Sequence, residues 1–239
     1  MFIGEPFLQN TIMKNVIVTG ASKGIGYHTA LALAVSKCRV LAVARNVYGL
    51  DKLKAEECGD GLIEVLQADI TKPEGREAVA NHFEKIDGLI NNAGILIKKP
   101  FDKISFDDLQ KTYDVNVFSP FLLTQKCMPK FNPFAHIINI GSVGGVNGTQ
   151  KFPGLTSYSS SKAAISCLSE CLQAEFENKD ISFNSLALGS VQTEMLETAF
   201  PGYKAGVNPN EMGRYIADFA LDSGKIVKGK TQMVSNSNP

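Results

Sequence analysis

Short, almost wholly apolar runs alternate along the chain with longer stretches in which apolar positions recur every three or four residues. The runs at 15–19, 39–44, 62–67, 88–91, 137–140, 181–186 and 230–234 have the length and β-branched content of strands. Helical spacing covers 25–36, 48–57, 74–83, a long stretch within 106–128, 157–178, 194–199 and 209–221. Strands that are apolar at nearly every position need cover on both faces, and a helix between successive strands supplies it. The pattern predicts an α/β, doubly wound parallel sheet of Rossmann type. Pro120 falls inside the long helical stretch and predicts a kink, because its ring removes a donor and crowds the preceding turn.

Composition narrows this further. A chain of 239 residues with 44% hydrophobic content suits one core, so a single domain over 1–239 is expected. Residues 1–12 precede a second methionine, Met13, and read as a loose arm; the SNSNP tail reads as frayed. Lys and Arg total 24, as do Asp and Glu, so no global field attracts nucleic acid or an anionic membrane. The five cysteines, Cys38, Cys58, Cys127, Cys167 and Cys171, lack CxxC spacing and a His cluster, which favours free thiols over disulfides or a metal site. Cys167 and Cys171 share a helix face, a spacing that suits helix packing better than redox chemistry. No apolar run reaches the ~18 residues of a membrane span, and no signal peptide pattern opens the chain. A cytoplasmic protein is expected.

The segment TGASKGIG, Thr19 to Gly26, forms the first strand-to-helix turn, the place where this fold class meets a dinucleotide. Gly20, Gly24 and Gly26 let backbone approach a pyrophosphate, with Ser22, Lys23 and Ile25 between them at a helix N-terminus that favours negative charge. An acidic residue ending the second strand would grip an adenosine ribose. Here Ala44 and Arg45 stand instead, and Lys23 with Arg45 would flank a 2′-phosphate. NADP(H) is therefore expected over NAD(H).

Tyr158 and Lys162, in YSSSK, are four apart at the start of a helical stretch and share one face. A phenol with a reference pKa near 10 needs a desolvated ammonium beside it to exchange protons near pH 7. Ser142 follows the strand HIINIG, and Asn92, Ala93 and Gly94 follow GLINN, so all emerge at the sheet edge that carries the glycine loop. A hydroxyl donor, a phenol, a lysine and a dinucleotide loop suit hydride transfer at a carbonyl.

TGASKGIG, NNAG, the Asn of DVNVFSPF, Ser142 and YSSSK, in this order over about 200 residues, resemble the short-chain dehydrogenase/reductase family. The resemblance implies a catalytic tetrad of Asn116, Ser142, Tyr158 and Lys162 without a metal. Tyr158 would pass a proton to the carbonyl oxygen, Ser142 would polarise it, Lys162 would bind the nicotinamide ribose and lower the phenol pKa, and Asn116 would maintain a proton path. It also implies Asp69 and Ile70 at the adenine, Asn92 and Ala93 along the cofactor, and Val191 and Thr193 near the carboxamide. Segment 195–212, with Leu196, Phe200 and Tyr203, occupies the family's substrate lid, and a homodimer or homotetramer is the usual assembly.

Two departures from the family pattern stand out. Leu188-Gly189 replaces the usual Pro-Gly, and the 143–157 loop is longer, with Phe152 within reach of a substrate. The expected activity is an NADP(H)-dependent interconversion of a carbonyl, such as a 3-oxoacyl or other apolar ketone, and a secondary alcohol. The competing readings are an NAD(H)-dependent alcohol dehydrogenase and a cofactor-binding regulatory protein without turnover.

Overall fold

The computed structural model describes residues 13–236, so the expected N-terminal arm and the last three residues of the tail lie outside the described residues. Seven strands form one parallel sheet in the order β3-β2-β1-β4-β5-β6-β7. They are β1 (Asn15–Thr19), β2 (Arg39–Ala44), β3 (Leu62–Gln67), β4 (Ile86–Asn91), β5 (Phe131–Ser142), β6 (Ile181–Leu188) and β7 (Thr231–Val234). The helices are α1 (Gly24–Val35), α2 (Val47–Lys54), α3 (Pro73–Ala80), α4 (Phe106–Tyr113), α5 (Ser119–Cys127), α6 (Thr156–Glu175), α7 (Glu194–Ala199) and α8 (Pro209–Asp222). The chain order reverses between β1 and β4, where crossovers leave in opposite directions and a crevice opens at the strand ends.

Alternate strand positions feed two cores. Val16 and Val18 of β1 pack with Leu33 of α1, Leu50 of α2 and Ile216 of α8, whereas Ile17 packs with Val79 of α3, Leu123 of α5 and Phe183 on the other face. Both faces are thus buried, as the apolar runs required. Leu188, in place of the family proline, continues β6, pairs with Val234 and is buried.

Two elements depart most from the pattern. The strand expected at 137–140 extends over Phe131–Ser142, because the polar Asn132, His136 and Asn139 interrupt its apolar pattern. Asn139 and His136 are nonetheless buried: Asn139 receives a hydrogen bond from Asn91 at 2.9 Å, and His136 Nε2 meets Asn184 Nδ2 at 2.9 Å. The stretch at 106–128 is two helices separated by a π-helical turn, Asp114–Phe118. Pro120 has no N–H to offer the carbonyl of Asn116, so the backbone widens just before the proline instead of continuing as α-helix. All five cysteines are free; Cys167 and Cys171 lie exposed on α6 rather than packed within the chain, their sulfurs 4.0 Å apart. No described helix is long and apolar enough to cross a membrane.

Candidate active site

The carboxyl ends of β1, β2, β4, β5 and β6 open into a cavity of about 800 Å³. All the residues singled out from the sequence line it, except Asn116, which stands just behind its wall. Thr19 stitches the crevice: its hydroxyl accepts the N–H groups of Asn92 and Ala93, each at 3.1 Å, and Asn92 Nδ2 returns a bond to the Thr19 carbonyl at 2.9 Å. Gly20, at φ +69°, lies so close to the loop after β4 that a Cβ would sit 2.8 Å from Ala93 Cα. A Cβ on Gly26 would meet Asn92 Nδ2 at 2.3 Å.

Lys23 caps α1 in an extended conformation, and its side chain makes no capping bond. The first N–H groups of α1 therefore lie free of a side-chain acceptor at the cavity wall, which fits a pyrophosphate. At the end of β2, Ala44 is buried and Arg45 is exposed beside the cavity. Asn46 caps α2 by accepting the Gly49 N–H, and Gly49 packs directly on the glycine loop, where a Cβ would lie 2.2 Å from the Ser22 carbonyl. Asp69 lies on the same side. Burial raises its pKa, but hydrogen bonds from the Thr71 hydroxyl and N–H, with Arg45 nearby, bring it below the usual carboxylate range.

Lys23 itself does not point to Arg45. Its ammonium forms an ion pair with Glu194, in the first turn of α7, and both residues line the cavity. No sequence signal marked Glu194, because an acidic residue after the N-cap Thr193 is what any helix start favours.

At the other end, α6 presents Tyr158 and Lys162 one turn apart, the ammonium 5.8 Å from the Tyr158 ring centre. Ser142 lies beside the Tyr158 hydroxyl, and its Oγ accepts the Gly144 N–H at 3.2 Å. Burial raises the phenol pKa and the Ser142 contact opposes it. Lys162 donates to the Ile140 carbonyl at 2.7 Å, and burial pushes its pKa down to about 8. The expected lowering of the phenol by Lys162 is thus counteracted by the desolvation that brings the two together.

Asn116, in the π-helical turn, brackets Ile95: its Oδ1 accepts the Ile95 N–H at 2.9 Å, and its Nδ2 donates to the Ile95 carbonyl at 3.0 Å and to Ser161 at 2.9 Å. The amide serves the loop after β4. Gly94 leaves a gap beside it, since a Cβ there would be 3.4 Å from both Asn116 Oδ1 and Lys162 Nζ.

The family profile described as short chain dehydrogenase matches residues 14–204. The chain belongs to the short chain dehydrogenase family. Among its relatives, a fatty acyl-CoA reductase from Acinetobacter baylyi is 31% identical over 217 residues, covering 86% of this chain and 72% of that protein. A 3-oxoacyl-[acyl-carrier-protein] reductase from Synechocystis sp. is 33% identical over 190 residues, covering 76% and 75%. A candidate NAD(P)-dependent gluconate 5-dehydrogenase from Beutenbergia cavernae, with NADP bound at low occupancy, superposes with a TM-score of 0.83 at 26% identity, covering 93% and 95%. This chain is accordingly an oxidoreductase of the short chain dehydrogenase family, with a Rossmann-type sheet and a nicotinamide dinucleotide cofactor.

Beyond Tyr158 the cavity of this short chain dehydrogenase is apolar, with Ile95, Leu96, Val143, Leu155 and Met195 on its walls. Phe152, from the long loop, meets Phe200 edge-on at 5.7 Å between ring centres. Lys98 lies over the Phe200 ring at 4.1 Å and donates to the Ala199 carbonyl at 2.7 Å, tying the loop after β4 to the end of α7. Neither Lys98 nor the Tyr203 to Ser190 hydroxyl contact at 3.2 Å was marked by any motif; both depend on where separate loops meet.

Proposed function

We propose that this short chain dehydrogenase interconverts an apolar carbonyl and a secondary alcohol, with NADP(H) as redox partner and Tyr158 as acid/base. The observation that carries this reading is that Tyr158, with Ser142 beside it and Lys162 one helical turn away, lines the same cavity as the glycine loop. A bound nicotinamide supplies or accepts the hydride. Tyr158 gives its proton to the carbonyl oxygen in reduction and takes it back in oxidation, while Ser142 orients that oxygen. Lys162 keeps positive charge beside the phenol below about pH 8. Asn116 fixes the Ile95 loop at the rim.

Gly20, Ser22, Gly24, Ile25 and Gly26 would hold the pyrophosphate; Asp69 and Ile70 the adenine; Asn92, Ala93, Gly94, Val191 and Thr193 the remainder of the cofactor. Arg45 and Lys23 favour a 2′-phosphate, and the buried Ala44 leaves no carboxylate for a 2′-hydroxyl. The apolar walls and the Phe152 and Phe200 pair support a hydrocarbon or ring-bearing substrate, and the two acyl-reducing relatives support a 3-oxoacyl compound within that class. Exposed Phe118, Phe121 and Leu122 support a homo-oligomer.

The test is a panel of apolar ketones, aldehydes and 3-oxoacyl esters run in parallel with NADPH and NADH. Turnover with preference for NADPH is expected, and Tyr158→Phe should lower kcat by at least ~100-fold, the usual reach of positioned acid/base groups. Normal cofactor binding with no turnover on any substrate would instead support a regulatory protein that keeps the fold.

A further inference from the structure

The Lys23 to Glu194 ion pair spans the cofactor cleft. Lys23 belongs to the turn after β1, and Glu194 to the segment after β6. The sheet order places β2, with Arg45 at its end, on one side of β1, and β4, β5 and β6 on the other. Pairing with Glu194 therefore draws the Lys23 ammonium toward the β6 side and away from Arg45. Glu194 is its hydrogen-bond and ion-pair partner, and both side chains are about two-thirds exposed, at 68% and 69%. The two chain segments already touch, since a Cβ on Gly24 would be 3.6 Å from Thr193 Cγ2.

We propose that Glu194 is a selectivity-determining residue for the cofactor: its carboxylate competes with the 2′-phosphate for Lys23. The inference rests on the NADP(H) reading above. A 2′-phosphate that recruits Lys23 must first take the ammonium from Glu194, whereas a cofactor with a 2′-hydroxyl leaves the pair in place. Glu194 thus narrows the margin by which NADPH is preferred. An exposed ion pair is weak enough to be exchanged for a phosphate contact, and strong enough for the exchange to register in affinity.

The experiment measures NADPH and NADH affinities, by titration of the full chain, for the wild type, Glu194→Gln, Lys23→Ala, the double variant and Arg45→Ala. Glu194→Gln should raise the NADPH-to-NADH affinity ratio by roughly two- to fivefold, the size of an exposed ion pair. The rise should vanish when Lys23 is alanine, as a double-mutant cycle requires of a direct coupling. An unchanged ratio in Glu194→Gln overturns the inference. So does an equal rise in the Lys23→Ala background, which would make Glu194 a bare charge in the cleft. Arg45→Ala separates the two levels. If it costs NADPH affinity while Glu194→Gln changes nothing, only the competition fails. If it leaves NADPH and NADH equally bound, as in the wild type, the NADP(H) reading fails and takes the inference with it. All three substituted positions are exposed, and circular dichroism confirms that each variant is folded.

Discussion

Lys162 illustrates how a single residue can serve chemistry at the expense of the fold. Its folded pKa of about 8 lies below the ordinary lysine value of 10.5 because burial penalises the ammonium. That shift corresponds to about 3 kcal/mol of stability forgone at neutral pH. As pH rises through about 8 the folded chain sheds this proton, while the unfolded chain keeps it up to about 10.5, so the penalty fades across that window. Lys162→Met should therefore melt roughly 5 °C higher than wild type at pH 7, with the advantage shrinking between pH 8 and 10.5, while turnover is lost. Thermal melts across that pH series check the sign. The pairing of Tyr158 with Lys162 was legible in YSSSK, since i and i+4 share a helix face. The partner of Lys23 was not: Glu194 is 171 residues away, and nothing local distinguishes it from any acidic residue at a helix start.

At the level of elements, β5 carries an acid-sensitive joint. His136 is buried against α8, with Nδ1 3.2 Å from the Ala220 carbonyl and Nε2 facing Asn184, and burial holds its pKa at about 4. The unfolded chain binds that proton near pH 6.5, so stability should fall by about 3 kcal/mol between pH 6.5 and 4. Urea unfolding midpoints across this range test the slope, which His136→Gln should flatten whatever its stability at pH 7. This joint was not legible, because a histidine inside an apolar strand shows neither its depth nor its partners. By contrast, β1, β2 and β3 fall at the residues their apolar runs marked. The π-helical turn lies between these extremes: Pro120 announced a break in the helix, but not that the turn would widen there or that its Asn116 would bond the Ile95 backbone.

For the whole molecule, the cofactor cleft is a seam between two halves of the sheet, so cofactor should brace the entire fold. At about 100 times its dissociation constant, a ligand specific for the folded state adds about 2.7 kcal/mol. For a chain of this size that is a rise of roughly 5–10 °C in Tm. NADPH should give the full rise, and Arg45→Ala should shrink it without altering the melting of the free chain, as scanning fluorimetry would show. The seam also bears on how the chain folds. The Thr19 to Asn92 contacts that shape the glycine turn span 73 residues, and every strand pairing in a parallel sheet must wait for its crossover. During synthesis from the N-terminus, the glycine loop leaves the ribosome long before the strand that gives it shape. No nascent fragment ending before β4 holds a formed cleft, and cofactor cannot guide the first half of the fold; it can only reward the completed one.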